Sequence, residues 1–331
     1  MPGLVPGIHV FVPVVEDVDG RDNPRRCGGS SGHDARSFAG VSMSKPRTEQ
    51  PSLAYLRAEI DRIDETMHRL LMERGEIIES LIAVKRTEES GSAFRPAREA
   101  EMMRRLVERH RGLLPLDTAE SIWRVIIATF TYVQAPFAVH ADLSAGDAHM
   151  RDSARFHFGF TVPFVPHLGA ASVVEAVSES KGDLGLVPAF AAAGGSAWWA
   201  ALEFTSAPKI IARLPFVERD DHPAAFPVFV VARGAPDAMV KDVEMWSVRV
   251  AGWGTGPARA LVAMAEVVAV PDRAFDGAAL LISVPQSQGF APISETLVKA
   301  GASVRSSALV GSHATRYTVP AERQRPAPAG R

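Results

Sequence analysis

The cations that could do chemistry sit where a helix would not normally put them. "LLMERGEIIESLIAVKR", residues 70–86, lies in a run whose apolar residues recur with a helical period. Stepping by sevens from Ile60 gives Met67, Arg74 and Leu81, and the companion row from Ile63 gives Leu70, Ile77 and Val84. Arg74 therefore falls on the apolar seam, where an unpaired charge costs several kcal/mol. Lys85 follows eleven residues later, which at about 100° per residue returns it to within roughly 20° of Arg74. Two cations on one face, one of them in an apolar row, either meet water there or receive an anion. Arg57 precedes Arg74 by seventeen residues and lies roughly 100° round the helix, so it is better placed to serve a pocket in a second copy of the chain than in its own. Downstream, "PAREAE" supplies Arg98 and Glu99, and Gln134 follows Ile127 by seven, which puts an amide near another apolar stripe. Arg62, Arg69, Arg104 and Arg105 read as solvated charges on snorkelling stems.

Three helices must position these residues. Leu56, Ile60, Ile63, Met67, Leu70, Ile77, Leu81 and Val84 form a stripe that makes one helix of about 30 residues from Leu53. "RTEESGSAFRP" breaks it, and "AREAEMMRRLVERH" is a shorter helix opening just after Pro96. "RGLLPLDTA" breaks again, and Asp117 or Thr118 can cap a third helix running through "ESIWRVIIATFTYVQAPF" toward Pro136. A first helix of roughly 45 Å is too long for a compact unit of about 90 residues. Its stripe needs cover from a second copy, so a homodimer is expected.

Bulk composition narrows the partners. The 331 residues are 47% apolar and 22% charged, with 36 basic against 38 acidic side chains and a net charge of −2. No global field points to nucleic acid or to an anionic membrane. The single cysteine, Cys27, excludes an internal disulfide framework and suits a reducing, cytoplasmic setting. No run has the length and apolarity of a membrane span. The ten histidines are scattered without metal-ligand spacing, so no metal is expected. His157, between Phe156 and Phe158, reads as a strand residue facing away from the core.

Taken together, "LAYLRAEIDRIDETMHRLLMERGEIIESLIAVKR", "FRPAREAEMMRRL" and "IWRVIIATFTYVQ" resemble the all-helical class of chorismate mutase. That pattern is LRxxIDxID, LLxER, a lysine eleven residues later, PxRE, and a glutamine ending the last helix. The likeness covers about residues 50–137. It implies a three-helix unit in an intertwined dimer, with chorismate as substrate, prephenate as product and no cofactor. Carried over by position, Arg57 from the partner chain and Arg74 would hold the two substrate carboxylates. Lys85 would bond a carboxylate and the ether oxygen, Arg98 would support the site, Glu99 would take the substrate hydroxyl, and Gln134 would approach the ether oxygen from the other side. The reaction breaks a C–O bond as a C–C bond forms, so catalysis is positioning plus stabilisation of charge on the ether oxygen. Two positions depart from the pattern: Arg95 stands where an aspartate is common, and Phe130 where a small hydroxyl residue is common, with Thr129 or Thr131 as partial substitutes.

The rest of the chain changes character. "RFHFGFTV" alternates like a strand, "DLGLVP", "KIIARL" and "FPVFVVA" are short apolar runs, and "GAASVVEAVSES" and "GGSAWWAALE" read as helical. "VVEAVSESKGDLGLVPAF" weakly resembles part of prephenate dehydratase, but "AAFPVF" stands where that family has Thr-Arg-Phe, and Thr315-Arg316-Tyr317 lies in another context. A degenerate dehydratase-like domain is the expectation. Residues 243–312 run βαββαβ, the order of amino-acid-binding ACT domains, which raises an aromatic amino acid as effector. "GWGTGPARA" lacks P-loop spacing and reads as a plain strand-to-helix turn.

The expected fold is therefore multidomain: an extension over 1–49 without structure, an all-α mutase unit over 50–140, an α/β dehydratase-like segment over 150–236, a βαββαβ segment over 240–320 and a tail over 321–331. The expected function is chorismate mutase. The alternatives are a bifunctional mutase and dehydratase, or a helical dimer whose catalysis has lapsed, with an effector-binding C-terminal domain.

Overall fold

The computed structural model describes residues 51–85, 93–190, 195–234, 242–272 and 277–320. The extension expected over 1–49 and the tail expected over 321–331 lie outside the described residues. The chain divides into two compact units, Met1–Arg74 and Gly75–Arg331. An all-α segment followed by an α/β region, the fold class expected from the sequence, is what the structure has.

Helix α1 runs from Leu53 to Lys85. Its apolar row is uncovered in the single chain: Ile60, Ile63, Met67, Leu70 and Ile77 are all exposed, Ile77 at 62%. Helix α2, Pro96–Arg109, opens with proline at its first turn, where no N–H is needed, and buries Glu99, Met103, Leu106 and Val107 on one face. Helix α3, Leu116–Gln134, starts ahead of the expected cap. Pro115 is its N-cap, no side chain caps it, and Asp117 sits inside the first turn, where its charge complements the helix dipole.

After the helices the chain forms an α/β region built from β1 (Val139–Asp142), α4 (Asp147–Phe158), β2 (Phe164–His167), α5 (Ala170–Glu179), β3 (Leu184–Pro188), β4 (Lys209–Leu214), β5 (Val217–Glu218) and β6 (Val228–Ala232). It continues through β7 (Val243–Ala251), α6 (Thr255–Val262), β8 (Glu266–Asp272), β9 (Gly277–Pro285), α7 (Ala291–Lys299), β10 (Ser303–His313) and β11 (Tyr317–Thr318). Nine strands form one sheet in the order β2-β1-β3-β6-β4-β10-β7-β9-β8, and β5 pairs with β11. The β2-β1-β3 part is parallel, and the β10-β7-β9-β8 part is antiparallel. The two halves of the sheet join where Gly311 pairs with Ile210. A Cβ on Gly311 would fall 2.1 Å from the Ile210 carbonyl oxygen, so only glycine lets the strands close there.

One core cluster explains how the helices reach the sheet. Met103 and Leu106 of α2 and Ile127 of α3 pack in the same cluster as Phe137, Val139, Phe158, Leu214 and Val230. Helices α2 and α3 thus share a core with the strands instead of enclosing one of their own.

The stretch expected to be a strand around His157 is helical. In α4 the buried residues are Met150, Ser153, Ala154, His157 and Phe158, a spacing of three and four rather than two. His157 is fully buried, not turned away from the core. "GGSAWWAALE" contributes only a short 3-10 turn, Trp198–Leu202, with Trp199 buried. Among the described residues no helix is long and apolar enough to cross a membrane.

Candidate functional site

The six residues singled out by spacing fall on α1, α2 and α3. Arg57 is exposed and Arg74 is half-buried, both in the first unit. Lys85 is the last residue of α1. Arg98 is exposed in the first turn of α2 and Glu99, beside it, is buried at 4% exposure. Gln134 ends α3, half-buried, and its Nε2 donates to the Phe130 carbonyl at 2.9 Å. Phe130 itself faces α1, since a Cβ on Gly75 would sit 3.8 Å from its ring. An aromatic ring therefore fills the place at which the family pattern has a small hydroxyl.

Glu99 belongs to a buried polar network. Its Oε2 accepts from Arg124 Nη1 at 2.7 Å, and Arg124 Nη2 donates to the His157 carbonyl at 2.9 Å. One turn before Arg124, the carboxylate of Glu120 accepts from Arg219 Nη1 at 2.6 Å and bonds His222 Nε2 at 3.1 Å. The Ala224 N–H donates to His222 Nδ1 at 2.9 Å, which makes Nε2 the protonated nitrogen and hence the donor to Glu120. His157 and His222 stack with ring centroids 6.2 Å apart.

Burial sets the ionisation of this network. Glu99 is pushed up from the ordinary carboxylate value by desolvation, with the Arg124 cation pulling the other way. The His157 imidazole is held well below its ordinary value by burial, then by Arg124 and His222, so it is neutral at physiological pH.

Sequence reasoning missed Glu120, Arg124, Arg219 and His222. For the first two a signal existed: Glu120, Arg124, Ile127 and Thr131 follow one another by four, three and four, and all four are buried. That is the same anomaly, a charge on an apolar row, that singled out Arg74. For Arg219 and His222, on a turn between β5 and β6, no periodicity marks them. Among the described residues no group of three or more His, Cys, Asp or Glu side chains is arranged to hold a metal.

A cavity of about 470 Å³ lies elsewhere, between residues 195–200 and the β7-β9-β8 strands. Arg249 and Asp272 line it with Val270, Pro271 and Ala279. Its wall is part charged and part apolar.

Comparison with known proteins places the helices. Residues 56–135 match the family described as chorismate mutase type II. A bifunctional chorismate mutase/prephenate dehydratase of Pseudomonas aeruginosa is 28% identical over 144 residues, which are 42% of this chain and 39% of that one. Its counterpart in Aquifex aeolicus is 29% identical over 140 residues, 41% of this chain and 38% of that one. The chain thus spans about two-fifths of the length of these relatives. A solved prephenate dehydratase from Streptococcus mutans superposes with a TM-score of 0.35 at 13% identity, covering 55% of this chain and 100% of that one. That level of likeness does not establish a shared fold.

Proposed function

We propose, from the match of residues 56–135 to the chorismate mutase type II family, that this protein is a chorismate mutase converting chorismate to prephenate. The observation that carries the reading is Arg74: a half-buried cation in an otherwise apolar row of a helix that falls within the family match. Arg74 and, from a second copy, Arg57 hold the two carboxylates of the substrate. Lys85 and Gln134 direct donors at the ether oxygen from opposite sides, and Arg98 adds positive field. Two donors on the departing oxygen stabilise the charge that grows as the C–O bond breaks, each worth on the order of a hundredfold in rate.

The homodimer belongs to the same proposal. Apolar side chains repeat along α1 with no cover in the single chain, and exposed apolar surface on that scale marks an interface. Covering it with the same helix of a second copy also brings Arg57 to the partner's site. The lack of any membrane-length helix among the described residues and the single cysteine suit a cytoplasmic enzyme.

For the α/β region we propose a regulatory or structural role. The cavity beside Arg249 is of a size for a small ligand, and its cation complements the carboxylate of an amino acid, with the aromatic ones the first to try. Purified full-length protein given chorismate, with product identified by chromatography, tests the main proposal. Prephenate formation supports it, and its absence from a folded preparation sinks it. Phenylpyruvate formed without acid treatment would favour the bifunctional reading instead.

A further inference from the structure

Glu99 is a buried member of the candidate site, and its carboxylate is held by an arginine. It lies on the buried face of α2 with Met103 and Leu106. Its partner Arg124 is itself fully buried, bonded to the α4 carbonyl of His157 at 2.9 Å and stacked over the Phe216 ring at 5.2 Å. The carboxylate thus meets a cation whose other contacts come from α4 and from the residue before β5. Turning Glu99 toward a substrate would strand that cation in the core, the arrangement that buried ion pairs tolerate least. Four residues earlier on α3, Glu120 makes a parallel tie to Arg219 and His222. Glu99 thus ties α2 to α3 through Arg124, Glu120 ties α3 to the turn between β5 and β6, and both carboxylates are committed to arginines.

We infer that Glu99 is an anchor, fixing the first turns of α2 to α3 and α4 through Arg124, and that it does not take the substrate hydroxyl. This deepens the mutase reading and rests on it: recognition falls to Arg57, Arg74, Lys85 and Gln134, and the ring hydroxyl meets water or a neutral group. Discrimination for that hydroxyl is correspondingly weak in this chain, since no buried acceptor is left unpaired when it is missing.

The test uses the full-length protein, chorismate, and a chorismate analogue lacking the ring hydroxyl. The ratio of kcat/KM for the two substrates is measured in the wild type and in Glu99→Gln. An anchor leaves that ratio within about twofold. A carboxylate that grips the hydroxyl changes it tenfold or more, which overturns the inference. In parallel, Glu99→Gln lowers Tm by about 10 °C, whereas Glu99→Leu combined with Arg124→Met returns it to within a few degrees, because a breached buried pair costs far more than an apolar replacement of both partners. An unchanged Tm in Glu99→Gln also overturns it. Should Glu99→Gln fail to fold, the paired variant takes its place in the kinetic comparison. If the folded wild type turns over no chorismate, the mutase reading fails, and the anchor stands or falls on the thermal data alone.

Discussion

Removing the Glu120 carboxylate is expected to damage the protein more than any exposed charge change. In Glu120→Gln, Arg219 keeps a side chain only 3% exposed but loses its buried partner at 2.6 Å. Its remaining ion pair is with Asp221 at 3.1 Å, a residue whose side chain is 71% exposed. Two unit charges about 4 Å apart attract by roughly 4 kcal/mol at an effective dielectric of about 20, and breaking one side of a buried pair typically costs about 3–5 kcal/mol. Asp221, screened by water, offsets a fraction of that. The net expectation is a loss of about 3 kcal/mol. Replacing both partners, Glu120→Leu with Arg219→Met, removes the stranded charge and is expected to fall within about 1 kcal/mol of wild type. Urea denaturation followed by tryptophan fluorescence, with a check that the m-values agree, measures both. A cost below about 1 kcal/mol for Glu120→Gln, or a double variant no better than the single, would refute the claim that this ion pair is a buried tie between α3 and the α/β region.

Acid should destabilise the fold ahead of general carboxylate protonation. His157 is held well below its ordinary value and His313 is lowered to about 4, both by burial. The unfolded chain therefore binds more protons than the folded one below about pH 6.5, and stability falls from there at about 1.4 kcal/mol per pH unit for each group, for His313 until about pH 4. Glu99, whose value is raised, opposes this in part above its ordinary value; with two imidazoles against one carboxyl the protein is expected to be less stable at pH 5 than at pH 7 by chemical denaturation, and equal or greater stability at pH 5 would contradict that. Gly311→Ala pushes a Cβ onto the Ile210 backbone and is expected to cost about 3 kcal/mol or more, measured by the same denaturation; a loss within 0.5 kcal/mol, the range of neutral surface changes, would mean the strand junction is not closed. Phenylalanine, tyrosine or tryptophan at millimolar concentration should raise Tm by a few degrees if the Arg249 cavity is an effector site, and Arg249→Ala should abolish that shift; no shift with any of the three removes the proposal.

Much of the helical half was legible because amphipathic period is a local property. The stripe from Leu56 to Val84 sufficed to place α1, and the proline at 96 marked the start of α2. The expectation failed where tertiary packing chose between periods. "RFHFGF" alternates over a few residues, but the longer window from Met150 to Phe158 repeats at three and four, and Gly146 and Gly159 bound it as a helix. Of the site, Arg74 was legible as a charge on an apolar row, and Glu120 and Arg124 carried the same signal unnoticed. That Glu99 pairs with Arg124 was not legible. The two are 25 residues apart on different helices, and whether a carboxylate faces a substrate or a core arginine depends on how those helices pack.

The central claim is best tested by the steady-state kinetics of the full-length protein with chorismate, beside Arg74→Ala and Lys85→Ala with folding checked by circular dichroism. Prephenate formation by the wild type is expected, with a loss of about a hundredfold or more in kcat/KM in each variant, the size that follows when one donor to the developing charge or one carboxylate clamp is removed. A folded wild type that leaves chorismate untouched, or folded variants that turn it over as well as the wild type, would contradict it.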